Sequence, residues 1–494
     1  MAKLIGIEIK QTSKSYTLTD SLGNSAETTN PTTVFDFLLK GWDNKHTFKV
    51  FWNLYEFVDL LKSLLPEKEY ETLIKNDKVE TIINGRTYRF FSSPGRMFSL
   101  TAKISTHYAS NPEINLYHLS QFFPNDTVES AADIATKGKE LLTALDEMGF
   151  NPTKLSSSVA IYDEKLKALN PPTIFDLKDE GTDFCDFAYH LMNREWRTVY
   201  KVGHWENAYD LDLRSGYPSV VKDFHNTSKC KFWKASTLQK SDFGILKGTI
   251  DITSDFSPIV NAYGENRKGK YGDYFTTGQI GFLYHYGLGT FNIQEGRYLK
   301  YLTDEKPFEK TMHELYTLRS LGGIKKDFAK SVSVGIGGRF SQEHKEKFGS
   351  FYNPIYSVMM TSGTSLKVGK FIMENDLAPY VISVMVDGFL SEKSATVNDT
   401  GLMGDWRIEK VKALVLSIGN QYVLSESGTN KKDAHLNNYS TMIEAIKTHP
   451  NKSVYNNVII AKDLAETKRI FKDYPKTGKD ILNHSYTSTT IISD

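Results

Sequence analysis

Tyr209-Asp210-Leu211-Asp212-Leu213-Arg214-Ser215-Gly216-Tyr217-Pro218-Ser219 is the stretch on which the reading of this chain turns. It places a carboxylate, Asp212, at the end of an apolar run. A turn then presents Ser215, Gly216 and Tyr217, and Pro218 stops any strand. The segment from Ala208 to Val221 therefore reads as strand, turn, then helix. An acid beside a tight turn, followed by an aromatic, suits a metal-bound polyphosphate with a sugar packed on the ring. Such chemistry needs partners: a second acid on another strand, and lysines on a helix.

The second acid stands in Ile382-Ser383-Val384-Met385-Val386-Asp387-Gly388-Phe389-Leu390. Ala378 to Leu390 reads as a hairpin, with Asp387-Gly388 as the favoured two-residue loop. An ordinary turn and an acid held at a hairpin tip are both compatible with it. The lysines stand in Ile324-Lys325-Lys326-Asp327-Phe328-Ala329-Lys330. Lys326 and Lys330 are four residues apart and share a helix face. That face could be merely solvated, or could hold a triphosphate with point charges. Gly335-x-Gly337-Gly338, which follows, is a weak phosphate loop: it follows a helix and lacks the Walker lysine.

These segments resemble the three polymerase motifs of family B DNA polymerases. The opening stretch resembles D-x-x-S-L-Y-P-S, motif A. Lys330 to Phe340 resembles K-x-x-x-N-S-x-Y-G-K/R-F, motif B, with Lys330, Gly338, Arg339 and Phe340 in register. Val334, Gly335 and Gly337 replace its Asn, Ser and Tyr. Ser383 to Gly388 resembles Y-x-D-T-D-S, motif C, with Asp387 at the second Asp, Met385 at the first and Ser383 at the Tyr. Tyr200-Lys201-Val202-Gly203 resembles the Y-x-G-G linker, and Gly278 to Tyr298 the strands before the fingers. Leu402 to Glu409 with Asn420-Gln421-Tyr422 resembles the segment ending in K-x-Y, with Asn420 for the Lys. The compact length resembles the protein-primed branch of phages and linear plasmids.

The resemblance implies an α/β and α+β multidomain fold: an RNase H-like, exonuclease-type first domain and a right-hand polymerase. The expected division is 1–150 for the first domain and 151–207 for a helical linker. Palm would follow at 208–306, fingers at 307–340, palm again at 341–424, and thumb or C-terminal region at 425–494. It implies two Mg²⁺ or Mn²⁺ ions on Asp212, Asp387 and Leu213. Lys326, Lys330, Ser215, Gly216 and Tyr217 would bind a dNTP, with Tyr217 under the sugar and excluding a ribose hydroxyl. Tyr200, Lys201, Gly203, Gly338, Arg339 and Tyr422 would contact DNA template or primer. Glu8, Phe57 and Lys137 stand where the exonuclease acids belong, and only Glu8 is an acid. Such a domain would be a scaffold without proofreading.

The resemblance thus implies dNTP addition to a 3′-hydroxyl, or to a hydroxyl of a terminal protein or other replication protein. Two alternatives stay open. One is a primer-independent initiator, its site widened by Gly337. The other is a catalytically weak, polymerase-like DNA-binding scaffold.

Composition is compatible and selects little. The 494 residues suggest about three domains. Apolar residues make up 40% and aromatics 13%, enough for real cores, which excludes a disordered chain. With a net charge of +1, any nucleic-acid surface requires its Lys and Arg gathered on one face. Cys185 and Cys230 form neither a disulfide framework nor a zinc set, which fits a reducing compartment. The N-terminus enters a strand-like run without a signal-peptide core, and no stretch is long enough to span a membrane. The expected location is the cytoplasm of a phage-infected or plasmid-bearing bacterial host.

Residues 3–9 read as a strand, and Phe48 to Leu65 has helical spacing from Leu54. Val79 to Ile104 carries an Asn84-Gly85 hairpin, and Ala131 to Glu147 reads as a helix. Ser156 to Asn207 reads as mainly helical, and 230–302 as short strands. Helices are expected at Phe308 to Ser320, Ile324 to Val334, Tyr439 to Lys447 and near Leu464 to Lys472.

Overall fold

Leu4, Ile5, Ile7 and Ile9 are all buried, so the first strand is covered on both faces, as expected of a central strand of an α/β layer. The computed structural model describes residues 3–11, 15–41, 47–52, 55–93, 97–104, 111–123, 126–261, 266–344, 347–417 and 420–432, with 440, 443, 453–460 and 485–492. The chain divides into two compact units. One is 1–164 with 322–328 and 456–490, and the other is 165–321 with 329–455 and 491–494.

In the first unit β1 (Lys3–Gln11) is followed antiparallel by β2 (Tyr16–Asp20) and β3 (Ser25–Thr28). Helix α1 (Pro31–Leu39) starts on Asn30, whose side chain accepts from the Thr32 N–H, with Pro31 at its first position. Strand β4 (Thr47–Phe51) lies parallel to β1. Helices α2 (Tyr55–Leu64) and α3 (Glu67–Asn76) follow, then β5 (Lys78–Ile83), β6 (Arg86–Ser93), β7 (Met97–Lys103) and β8 (Glu113–His118). The eight strands run β3-β2-β1-β4-β8-β7-β6-β5. Asn84 and Gly85 both take positive φ between β5 and β6, the turn that asparagine–glycine favours. The run from Phe48 begins as a parallel strand because Phe48, Val50 and Phe51 are buried between β1 and β8; the helix begins at Tyr55.

Helix α4 (Ala131–Glu147) has the expected limits and starts on Ser130, which accepts from the Asp133 N–H. It rests on β1 through two glycines. A Cβ on Gly6 would lie 2.2 Å from the Ala131 carbonyl oxygen, and one on Gly138 would lie 2.4 Å from Leu4 Cδ1.

Among the described residues the second unit holds two larger antiparallel sheets and a two-stranded pair. Helices α5 (Ser158–Ala168) and α6 (Asp179–Tyr189) lead into β9 (Arg197–Val199), β10 (Gly203–Leu213) and α7 (Gly216–Val221). Beyond α6 strands replace helices in 156–207, because Arg197 to Val199 pairs with Ser383 to Met385. Next come β11 (Cys230–Ala235), β12 (Phe243–Ile252), β13 (Gly269–Thr276), α8 (Thr277–His285) and β14 (Gly289–Tyr301). They form a four-stranded sheet, β11-β14-β12-β13.

Helix α9 (Glu309–Ser320) matches expectation, whereas α10 (Gly323–Phe340) runs six residues past Val334. Gly335, Gly337 and Gly338 are therefore helical, which removes the phosphate-loop reading. After the short pair β15 (Glu343–His344) and β16 (Lys347–Phe348) comes α11 (Pro354–Glu374), on which the sequence reading was silent. Its Thr361, Ser362, Thr364 and Ser365 hydroxyls donate back to the carbonyls of Ser357, Val358, Met360 and Thr361. Such local bonding lets a buried helix carry Ser and Thr that otherwise read as loop.

The unit closes with β17 (Val381–Met385), β18 (Gly388–Ser391), β19 (Trp406–Ser417), β20 (Asn420–Ser425) and β21 (Asn430–Lys432). Its main sheet runs β21-β20-β19-β10-β18-β17-β9. The helices expected at Tyr439 to Lys447 and near Leu464 to Lys472 lie outside the described residues, except 440 and 443, which are helical. No helix among the described residues is long and apolar enough to cross a membrane.

Candidate active site

Strand β10 is the central strand of its sheet, flanked by β19 and β18. Its register pairs Asp212 with Gly388 on one side and Arg407 on the other. The Leu213 N–H donates to the Asp387 carbonyl at 2.9 Å. Antiparallel pairing thus brings the end of β10 and the tip of the β17–β18 hairpin side by side. Two glycines make the approach possible. A Cβ on Gly388 would lie 3.2 Å from Asp212 Oδ1, and one on Gly216 would lie 2.7 Å from Asp387 Oδ2.

The hairpin tip is one residue earlier than expected. Met385 pairs with Gly388, so Val386 and Asp387 form the loop and Gly388 opens β18. Val386 takes φ 64°, a left-handed conformation that is costly for a β-branched side chain. Its N–H is held by the Trp196 carbonyl at 2.9 Å. Asp387 is half-buried.

Ser215, also left-handed at φ 54°, caps the turn into α7. Its hydroxyl accepts from Arg319 on α9 at 2.6 Å. Arg319 lies within electrostatic reach of Asp212, Asp387 and Arg407, and burial lowers its pKa. Arg407 binds one oxygen of Asp212 through Nε at 2.9 Å and through its terminal nitrogen at 2.6 Å. Neither arginine was found from the sequence. Arg407 does stand two residues after Asp405, in a strand-like stretch whose alternation gives it the face of Asp212. Tyr217 is half-buried and donates its hydroxyl to Glu195, which also holds Arg197. Burial first, then Glu195, raises the Tyr217 pKa, so the phenol stays protonated.

The two carboxylates are hard oxygen donors of the kind a divalent cation such as Mg²⁺ takes, whereas the two arginines beside them oppose its charge. Leu213 contributes only main chain there, since its side chain is buried. Lys326 and Lys330 both lie on the exposed face of α10, along with Gly338.

The residues expected at DNA fare differently. Lys201 is bonded to Glu392 at 2.5 Å and to the Pro379 carbonyl at 2.9 Å. The Tyr200 hydroxyl accepts from Asn266, and burial pushes its pKa up to about 12. Gly203 opens β10, and Arg339 donates to Gln342 at 2.7 Å. Tyr422 is fully buried on β20. A Cβ on Gly337 would lie 2.5 Å from Met360 Sδ on α11, near the end of a flexible side chain.

In the first unit, Glu8 pairs with Lys10 at 3.0 Å. Phe57 is fully buried and packs on Phe51 and Phe98. Lys137 is bonded to Asp126 at 2.8 Å and Glu140 at 3.1 Å, which raise its pKa. It also lines a cavity of about 340 Å³ with Phe122, Phe123 and Asp327. Among the described residues no group of three or more His, Cys, Asp or Glu could hold a metal ion.

No protein-family model and no curated protein sequence matches this chain. Solved structures do. One is phi29 DNA polymerase complexed with primer-template DNA and incoming nucleotide substrates, at 10% identity, 100% coverage of both chains and a TM-score of 0.64. The same polymerase complexed with primer-template DNA matches at 10% identity and a TM-score of 0.59, covering 94% of this chain and 97% of that one. Complexed with single-stranded DNA it matches at 10% identity and 0.57, covering 88% and 90%. The mixed α/β, multidomain fold of this chain is that of phi29 DNA polymerase, a protein-primed family B DNA polymerase.

Proposed function

We propose that this chain is a DNA-directed DNA polymerase that adds dNTPs to a 3′-hydroxyl on a DNA template. The observation that carries this reading is the convergence of Asp212 and Asp387 at neighbouring strand ends, with a glycine at 216 where a Cβ would lie 2.4 Å from Asp387 Cβ and a glycine at 388 closely packed on Asp212. The likeness to a polymerase solved with primer-template DNA and nucleotides supports it.

In this reading Asp212 and Asp387, with the Leu213 main chain, would hold two Mg²⁺ or Mn²⁺ ions, which would supply charge stabilisation at the phosphate and a more acidic attacking hydroxyl. Arg319 and Lys330 neutralise the triphosphate, which is chiefly electrostatic work. Ser215 and Gly216 line the turn beneath it. Tyr217, anchored by Glu195, packs under the sugar and excludes a 2′-hydroxyl. Arg339, Gly338, Lys201, Tyr200 and Gly203 face template or primer, Lys201 after release from Glu392.

The second unit is read as palm, fingers and the start of a thumb. The first is read as an RNase H-like, exonuclease-type scaffold without proofreading. Buried Phe57 and paired Lys137, where acids belong, support that. The hydroxyl could equally be supplied by a terminal protein. The working location is the host cytoplasm during phage-type replication.

The test is labelled-dNTP incorporation on a primed template with Mg²⁺. Asp212→Ala and Asp387→Ala should each lower the rate by about a thousandfold or more, with the fold intact by circular dichroism. Full activity in either variant would end this assignment.

A further inference from the structure

Asp212 already has a cation. Arg407 stands directly across the β10–β19 pair from it and places two nitrogens on one of its oxygens. Arg319, within reach of both carboxylates, supplies a second positive charge from α9. Asp399 is also within electrostatic reach of Arg407 and is itself paired with Arg214, so guanidinium groups and carboxylates are close to balanced before anything binds. Divalent cations are ordinarily drawn to a site by its net negative charge. Here a lone cation meets Asp212 already engaged and two like charges beside it. A triphosphate changes the balance, because its negative oxygens give the guanidinium groups new partners and free Asp212.

The pair is also easily opened. The Arg407 side chain is 52% exposed and that of Asp212 30%, so the contact is screened and modest. An exposed pair of this kind acts as a displaceable counter-ion.

Resting on the polymerase reading above, we infer that Arg407 is a specificity-determining residue. It makes the site accept a divalent cation together with a nucleoside triphosphate in preference to the cation alone. By linkage, cation and nucleotide then strengthen each other's binding by the same factor, and part of that factor belongs to Arg407.

The test is binding, without primer or template. Mn²⁺ binding to the full chain is followed by electron paramagnetic resonance of the free ion. Equilibrium dialysis follows labelled dATP with and without Mn²⁺. Arg407→Met should bind Mn²⁺ alone about fivefold more tightly than the unaltered chain. The gain in dATP affinity on adding Mn²⁺ should shrink by a similar factor, whereas Arg407→Lys should stay near the unaltered values. If Arg407→Met does not fold, Arg407→Gln carries the same comparison.

Unchanged or weaker Mn²⁺ binding in the folded variant would overturn the inference. Asp212→Asn and Asp387→Asn separate the two levels. If they abolish Mn²⁺ binding while Arg407→Met changes nothing, the site stands and the role of Arg407 falls. If they leave Mn²⁺ binding intact, the carboxylate site and this inference fall together.

Discussion

At the scale of single residues, the site depends on atoms that are missing as much as on those present. Gly216 and Gly388 leave the space in which Asp212 and Asp387 approach. Val386 is the converse, a β-branched residue at φ 64° where the turn favours glycine. That conformation costs about 1–3 kcal/mol and is tolerated because the surrounding sheet fixes it. Val386→Gly should stabilise the fold by about 1 kcal/mol in chemical denaturation yet slow incorporation, because Asp387 gains freedom. A variant both stabler and equally active would show that the strain has no part in aiming Asp387. Tyr217 allows a cleaner separation. Tyr217→Phe keeps the ring and loses the bond to Glu195, so discrimination against ribonucleotides should persist. Tyr217→Ala should raise ribonucleotide use relative to dNTP use by at least about tenfold, measured as a ratio of kcat/KM values. Equal ratios in the two variants would remove the ring from sugar selection.

At the scale of elements, the sequence was clearest where local signals and burial agree. Asn84-Gly85 gave its hairpin, and α4 its limits, because turn chemistry and the Ser130 cap act within a few residues. It was silent on α11, whose buried face is rich in Ser and Thr satisfied by their own helix. Gly337 of α10 lies against the Met360 side chain of α11. Strand β4 holds a further element-level device. Lys49 is buried and donates to the Leu38 carbonyl at 2.5 Å and the Phe37 carbonyl at 3.3 Å, at the end of α1. Desolvation lowers its pKa to about 8, against the attraction of Asp20. Between about 8 and the ordinary 10.5 the unfolded chain holds this proton and the folded chain does not. Stability from this group therefore rises with pH across that window and is level below it. The melting-temperature difference between the unaltered chain and Lys49→Met should shift in favour of the unaltered chain from pH 8 to 10.5. A constant difference would mean that burial does not penalise the ammonium.

At the scale of the whole molecule, the two units present contrasting sites. The second gathers carboxylates and arginines at the middle of a sheet. The first has phenylalanine in its core and a paired lysine where the exonuclease resemblance requires acids. Purified protein should therefore leave 3′-labelled single-stranded DNA intact with Mg²⁺ or Mn²⁺ while it extends a primer. Degradation that Glu8→Ala abolishes would restore proofreading to the first unit. The sequence by itself determined the motif order, the strand–turn–helix around Asp212 and the acid at 387, because these are written in contiguous residues whose local preferences suffice. Tertiary structure alone decided which distant groups share the site. Arg319, Arg407 and Glu195 reach Asp212, Ser215 and Tyr217 only through strand register and helix packing. Tyr422 is buried for the same reason. A residue's type limits what it can bind, but the face on which the sheet puts it decides what it meets.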